Sequence, residues 1–157
     1  MDDIAQKTAA RETQTERTAR LLALSGYVPI LVLLLWLMGV DAAHPAREPT
    51  LALLESYCAI ILSFLGGIRW GLGMVFRGGG SPRDLIASCV PPLVGWAAVY
   101  APVPYAFALF AVAFAAQGAW DNFAVHAGMA PRWYGRLRIL LTVLVVAAMV
   151  LAFVATA

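Results

Sequence analysis

The sequence predicts an all-α fold: a polytopic integral membrane protein, a bundle of five transmembrane helices with the N-terminus cytoplasmic and the C-terminus outside. Three observations carry this expectation. Hydrophobic residues make up 62% of the 157-residue chain and charged residues 13%, whereas a soluble domain carries about a quarter charged residues. Five apolar stretches approach the roughly 20 residues that a helix needs to cross the hydrocarbon. Lys and Arg divide unevenly between alternate connections, as they do where positive charge is retained on the cytoplasmic side.

Residues 1–20 read as a polar cytoplasmic segment, mixing Asp2, Asp3, Glu12 and Glu16 with Lys7, Arg11, Arg17 and Arg20. This lacks the Arg-rich, acid-poor character of a transit peptide, and the apolar run that follows exceeds the roughly 7–15 residues of a secretion-signal core. Residues 21–40 are therefore expected to remain as the first span of a single transmembrane domain, residues 21–157. The second span, 51–76, is longer than a bilayer requires and must tilt or begin in the interface. The third, 85–101, contains Pro91 and Pro92 and should kink there. Ala101, Pro102, Val103 and Pro104 then force a tight hairpin into the fourth span, 104–120, because one helix through residues 85–120 would be about 54 Å long. The fifth span, 137–156, carries Arg138 as its one charge.

With five spans, Lys7, Arg11, Arg17, Arg20, Arg77, Arg83, Arg132, Arg136 and Arg138 fall on one side and Arg47 on the other. That distribution places the N-terminus in the cytoplasm. Ten Arg against one Lys, with abundant Ala and Gly, direct the expectation towards the inner (plasma) membrane of a bacterium with a GC-rich genome.

Composition and motifs exclude much. No phosphate-binding loop, nucleotide fingerprint or nucleophile beside a usable His is present; Gly78, Gly79 and Gly80 lack the Lys and hydroxyl residue of such a loop and read as a flexible turn. His44 and His126 lie in connections on opposite sides, so no metal or haem site is expected. Cys58 and Cys89 differ in depth by several turns, too far for a disulfide. The basic residues lack interleaved surface aromatics, and no nucleic-acid partner is expected. The reading is thus of no cofactor, no metal and no catalytic residue.

A candidate polar cluster remains within the apolar spans, comprising Arg69, Asp121, Trp70, Trp120 and Glu55. A cation inside a span must be accounted for. Arg69 lies close enough to the cytoplasmic end to snorkel, and Asp121, expected to end the fourth helix on that side, offers a carboxylate for a bidentate pair. Either this is a structural ion pair or Arg69 serves a substrate or gate. Glu55 precedes Arg69 by fourteen residues, roughly 20 Å along a helix, and is expected at the outer mouth, within reach of Arg47. Ala59, Ser63, Gly67 and Gly71 recur every four residues, a small-residue stripe suited to helix packing within the chain or across a dimer. Trp133 and Tyr134 suit the headgroup layer, with Arg132, Arg136 and Arg138 facing anionic lipid or an inner-side partner.

The run LSFLGGIRWG at residues 62–71, Asp121 near the end of the fourth span, and WYGRLRILLT at residues 133–142 together resemble the transmembrane protein 69-like family (domain of unknown function 3429). The resemblance covers nearly everything after the polar N-terminus. It implies a multi-span inner-membrane fold and brings no established catalytic residue, ligand or cofactor.

These readings converge on a small structural, accessory or assembly subunit embedded in the lipid bilayer, docked in a larger membrane complex or as a homo-oligomer. The alternative is a small channel or carrier in which Arg69 attracts an anion and Asp121 shapes the inner opening. An enzyme comes last, since Glu55, Arg69, Asp121 and His126 offer too few groups at one depth.

Overall fold

The computed structural model describes residues 2–75 and 81–157, with side chains described from residue 13 onward. The end of the second span at Phe76, Arg77 and the three consecutive glycines lie outside the described residues, as do the side chains of Lys7 and Arg11. Among the described residues every regular element is a helix: α1 (Asp2–Ser25), α2 (Val28–Gly39), α3 (Arg47–Val75), α4 (Pro82–Ser88), α5 (Val90–Ala98), α6 (Tyr105–His126) and α7 (Arg132–Thr156). Three stretches are long and apolar enough to cross a membrane: Thr13–Gly39, Arg47–Val75 and Arg132–Thr156. Neither α4 nor α5 reaches that length alone, and α6 carries Gln117, Asp121 and Asn122 in its second half.

The boundary between α1 and α2 follows from Pro29. Lacking an N–H, proline cannot bond to the carbonyl four residues back, and the chain turns through Gly26 and Tyr27 before α2 begins its ladder with Leu31 N–H on the Tyr27 carbonyl at 3.1 Å. Two tyrosines hold the turn. Tyr57 donates to the Gly26 carbonyl at 2.8 Å, and Tyr27 donates to the Leu144 carbonyl at 3.3 Å. The break is thereby tied to both α3 and α7.

The kink expected near Pro91 is present as a division of the third span into α4 and α5 at Cys89. Ser81 caps α4 by accepting from the Arg83 N–H at 3.3 Å. The hairpin between α5 and α6 falls where the spaced prolines require it. The next boundaries differ from expectation: α6 runs six residues beyond 120, to His126, and α7 begins at Arg132 rather than 137. Asp121 is therefore inside a helix and not at its end. The supposed long connection shortens to residues 127–131, with Pro131 in the N-cap position.

Packing is tightest along the α6–α7 hairpin. At Gly118 an added Cβ would overlap the Thr142 side chain, and at Gly135 it would come within 3.2 Å of Val125. α3 packs on α4 and α5 through Gly66, where a Cβ would lie 2.6 Å from the Ser88 carbonyl oxygen, through Gly73 against Leu85, and through Ala59 against Gly95. Beyond Ala59 the small-residue stripe does not mediate packing within the chain: Ser63 and Gly67 are exposed, and nothing lies within 4 Å of a Cβ built on Gly67 or Gly71. Small residues do allow close helix approach, but on the face bearing Ala59, Gly66 and Gly73. The interior is filled by Phe107, Phe110, Leu54, Leu62 and Met149, all fully buried, while Trp36, Phe64, Trp96, Val112 and Val143 project outward. An exterior this apolar is stable in lipid and would aggregate in water.

At the opposite end Arg47 does not reach Glu55. Its guanidinium donates to the carbonyls of Leu37 (3.2 Å), Val40 (3.4 Å) and Ala155 (2.7 Å). One cation thus satisfies carbonyls at the C-terminal ends of α2 and α7, where the helix dipole also favours positive charge. Arg47→Leu is expected to lower stability by about 2 kcal/mol or more, since charge-assisted hydrogen bonds are the stronger kind. Thermal unfolding in mild detergent measures this, and an unchanged midpoint would remove Arg47 from the account of how these ends are held.

Candidate polar centre in the bundle

The centre is built from α3, α6 and α7. On α6 the spacing of Gln117 and Asp121 places both side chains on one helical face, and Gln117 Nε2 donates to Asp121 Oδ1 at 3.1 Å. The antiparallel return of α7 brings Arg138 against the same carboxylate, with Nε donating to Oδ2 at 2.7 Å. Both carboxylate oxygens therefore have donors. Asp121 is 1% exposed and Arg138 6%, so this is an ion pair withdrawn from solvent, in which each charge depends on the other.

Arg69 enters from α3 and is 7% exposed. Its guanidinium carbon lies 4.1 Å from the centroid of the Trp120 ring, a cation–π contact that in a desolvated setting contributes about 2 kcal/mol. The direct Arg69–Asp121 pair is not formed; Arg138 holds that position, and Arg69 stays within Coulombic range of Asp121 and of Tyr134. Three buried polar atoms at the centre have no hydrogen-bond partner among the described residues: Arg69 Nη1, Gln117 Oε1 and Tyr134 Oη. Two arginines and one aspartate leave the centre with one positive charge that no carboxylate answers.

Of the other expected members, Trp120 belongs to the centre through Arg69, whereas Trp70 is 43% exposed on the outer face of α3. Glu55 is buried, with Oε1 unpartnered, but on α3 it sits four turns from Arg69. Gln117, Tyr134 and Arg138 were not among the expected members. A Gln and an Asp four residues apart on one helix, and a Tyr and an Arg equally spaced on the next, were the available signal.

The remaining polar groups do not converge on a metal or nucleophile. Among the described residues no three His, Cys, Asp or Glu side chains come together. Both cysteines are free: Cys58 is buried with its sulfur 3.6 Å from that of Met149, and Cys89 is exposed. His44 accepts from the Ala46 N–H at 3.1 Å, and His126 Nδ1 lies 2.8 Å from the Asn122 carbonyl, which requires the proton on that nitrogen.

A family model described as a protein of unknown function, DUF3429, matches residues 15–154. The chain belongs to the DUF3429 family. α3, α6 and all but the last two residues of α7 fall inside the matched region, which also takes in α2, α4 and α5. Among curated proteins, the DUF3429 chain is 32% identical over 142 residues to "Transmembrane protein 69" of Xenopus tropicalis, across 85% of this chain and 53% of the frog protein. It thus spans about half the length of that relative. No solved structure matches it. Family membership and the apolar helices together make this an all-helical membrane protein with several membrane-embedded helices.

Proposed function

We propose that this DUF3429 protein is a small structural or assembly subunit of a larger complex in a bacterial inner membrane. In this reading α1–α2, α3, α4–α5, α6 and α7 form five spans, with the N-terminus cytoplasmic and the C-terminus outside. Support for the topology comes from the Lys and Arg distribution and from the α4–α5 and α6 segments packing among the three longer apolar helices.

The observation that carries the functional reading is the interior between the two polar levels. On the buried face of α3, Glu55 and Arg69 are separated by Cys58, Leu62, Leu65 and Gly66, and the facing α6 residues include Phe107, Phe110 and Phe114. Such a packed apolar layer offers no hydrogen-bonding relay to an ion or polar solute. The Asp121–Arg138 pair then acts as a lock between α6 and α7, with Arg69 fastening α3 to them through Trp120.

A second reading, an anion channel or carrier, is favoured by one feature: Arg69 Nη1 is buried without an acceptor in a centre of net positive charge. Purification of the tagged protein from its native membrane in mild detergent, with mass spectrometry of what elutes, separates the two. A stoichiometric partner lost on Arg69→Leu is the expected result. A stable, partner-free protein that conducts anions in liposomes would replace the subunit reading with the carrier.

A further inference from the structure

The three arginines that open α7 have divided roles. Arg138 is spent on Asp121. Arg132 and Arg136 are exposed and have no acceptor among the described residues, yet they are not simply dispersed over the surface. Together with Asn122 and His126 of α6 they line an open groove of about 410 Å³ between the two helices, whose other lining residues are Val125, Gly135 and Ile139. Because Gly135 has no side chain, α7 approaches Val125 closely and the arginines flank a furrow rather than a ridge.

The electrostatics of the groove have one sign. No Asp or Glu lines it. Pro131 supplies no side-chain cap to α7, so the first N–H groups of a 25-residue helix leave their positive dipole end beside Arg132. A phosphate oxygen is the group that two guanidinium ions and an uncapped helix start recognise together.

The apolar end identifies the source of that phosphate. From Ile139 the outer face of α7 continues through Leu140 and Val143, both exposed and apolar. A ligand with its phosphate at Arg132 and Arg136 would therefore lay its remaining length along hydrocarbon-facing surface. We propose that this groove is a binding site for the phosphate of an anionic membrane lipid, which seats the α6–α7 turn at the edge of the bilayer. It uses side chains distinct from Arg69, Asp121 and Arg138, so it stands whether the protein is a subunit or a carrier.

The test is native mass spectrometry of the protein released from micelles containing equal parts phosphatidylglycerol and phosphatidylcholine. Wild type should retain phosphatidylglycerol preferentially. The R132Q/R136Q variant should lose about 30-fold of that preference, from the electrostatic worth of two basic residues near a membrane surface, while its melting temperature in phosphatidylcholine stays that of wild type. Arg83→Gln, which removes an exposed cation outside the groove, should leave the preference intact. Equal retention of the two lipids by wild type, or an equal loss in R83Q, would overturn the site. Competition by millimolar inorganic phosphate would assign the groove to a soluble anion and overturn the lipid.

Discussion

Asp121→Ala should destabilise the protein by about 3–5 kcal/mol, the range for breaking a buried ion pair by removing one partner. The loss exceeds the value of the contact itself, because Arg138 is left withdrawn from water without its carboxylate partner and Arg69 loses its Coulombic interaction with Asp121. Arg138→Leu should cost a similar amount by stranding the carboxylate on Gln117 alone. The decisive measurement is the double variant D121L/R138M, which should recover most of both losses, since an apolar pair of similar volume is tolerated where half an ion pair is not. Thermal unfolding in detergent reads all three. Strictly additive losses would show that the pair does not hold α6 to α7. Arg69→Leu should combine with R138L non-additively, because both arginines act on the Asp121 carboxylate and the double change leaves it with no cation of the centre beside it.

Gly118→Val is the second large effect. Even a single Cβ there would overlap the Thr142 hydroxyl, methyl and Cβ. Thr142 is branched at Cβ and cannot swing clear by rotating a distant atom. The helices must therefore separate, at a cost of about 1–3 kcal/mol for each such insertion and more for two extra methyls. Gly118→Ala should be partly rescued by Thr142→Ala, which removes the two nearest obstructing atoms. Unfolding midpoints of G118A, T142A and the pair test this. Absence of rescue would place the damage in the glycine backbone and not in the α6–α7 contact.

Much of the fold was legible because apolar length and proline position are local signals. The turn at Pro29 was the exception among the prolines, hidden inside a run of uniform hydropathy. The ends of α6 and the start of α7 were misjudged for one reason: Asp121, Asn122, Arg132 and Arg136 read as a connection when polarity alone is weighed. In the helical hairpin Asp121 is satisfied across the pair by Arg138, and Arg132 and Arg136 stay exposed on α7, so polarity does not end either helix. Arg138 illustrates the same point. Its charge was counted towards topology, which says on which side a residue lies but nothing about what it touches. The intrachain role expected of the small-residue stripe failed differently, since Ala59 belongs to two faces of α3, one continuing through Ser63 and Gly67, the other through Gly66 and Gly73. Only the positions of α4 and α5 choose between them, and that is tertiary information.

Arg47 binds its shortest partner, the Ala155 carbonyl, 108 residues later in the chain. During synthesis its guanidinium would emerge long before α7 exists, and until then water or lipid phosphate must meet the Nη2 donor that later binds Ala155. The distal end of the bundle is therefore the last part that can mature. Any intermediate stalled before α7 inserts would hold Arg47 on the Leu37 and Val40 carbonyls alone, with its Nη2 donor still without the Ala155 carbonyl.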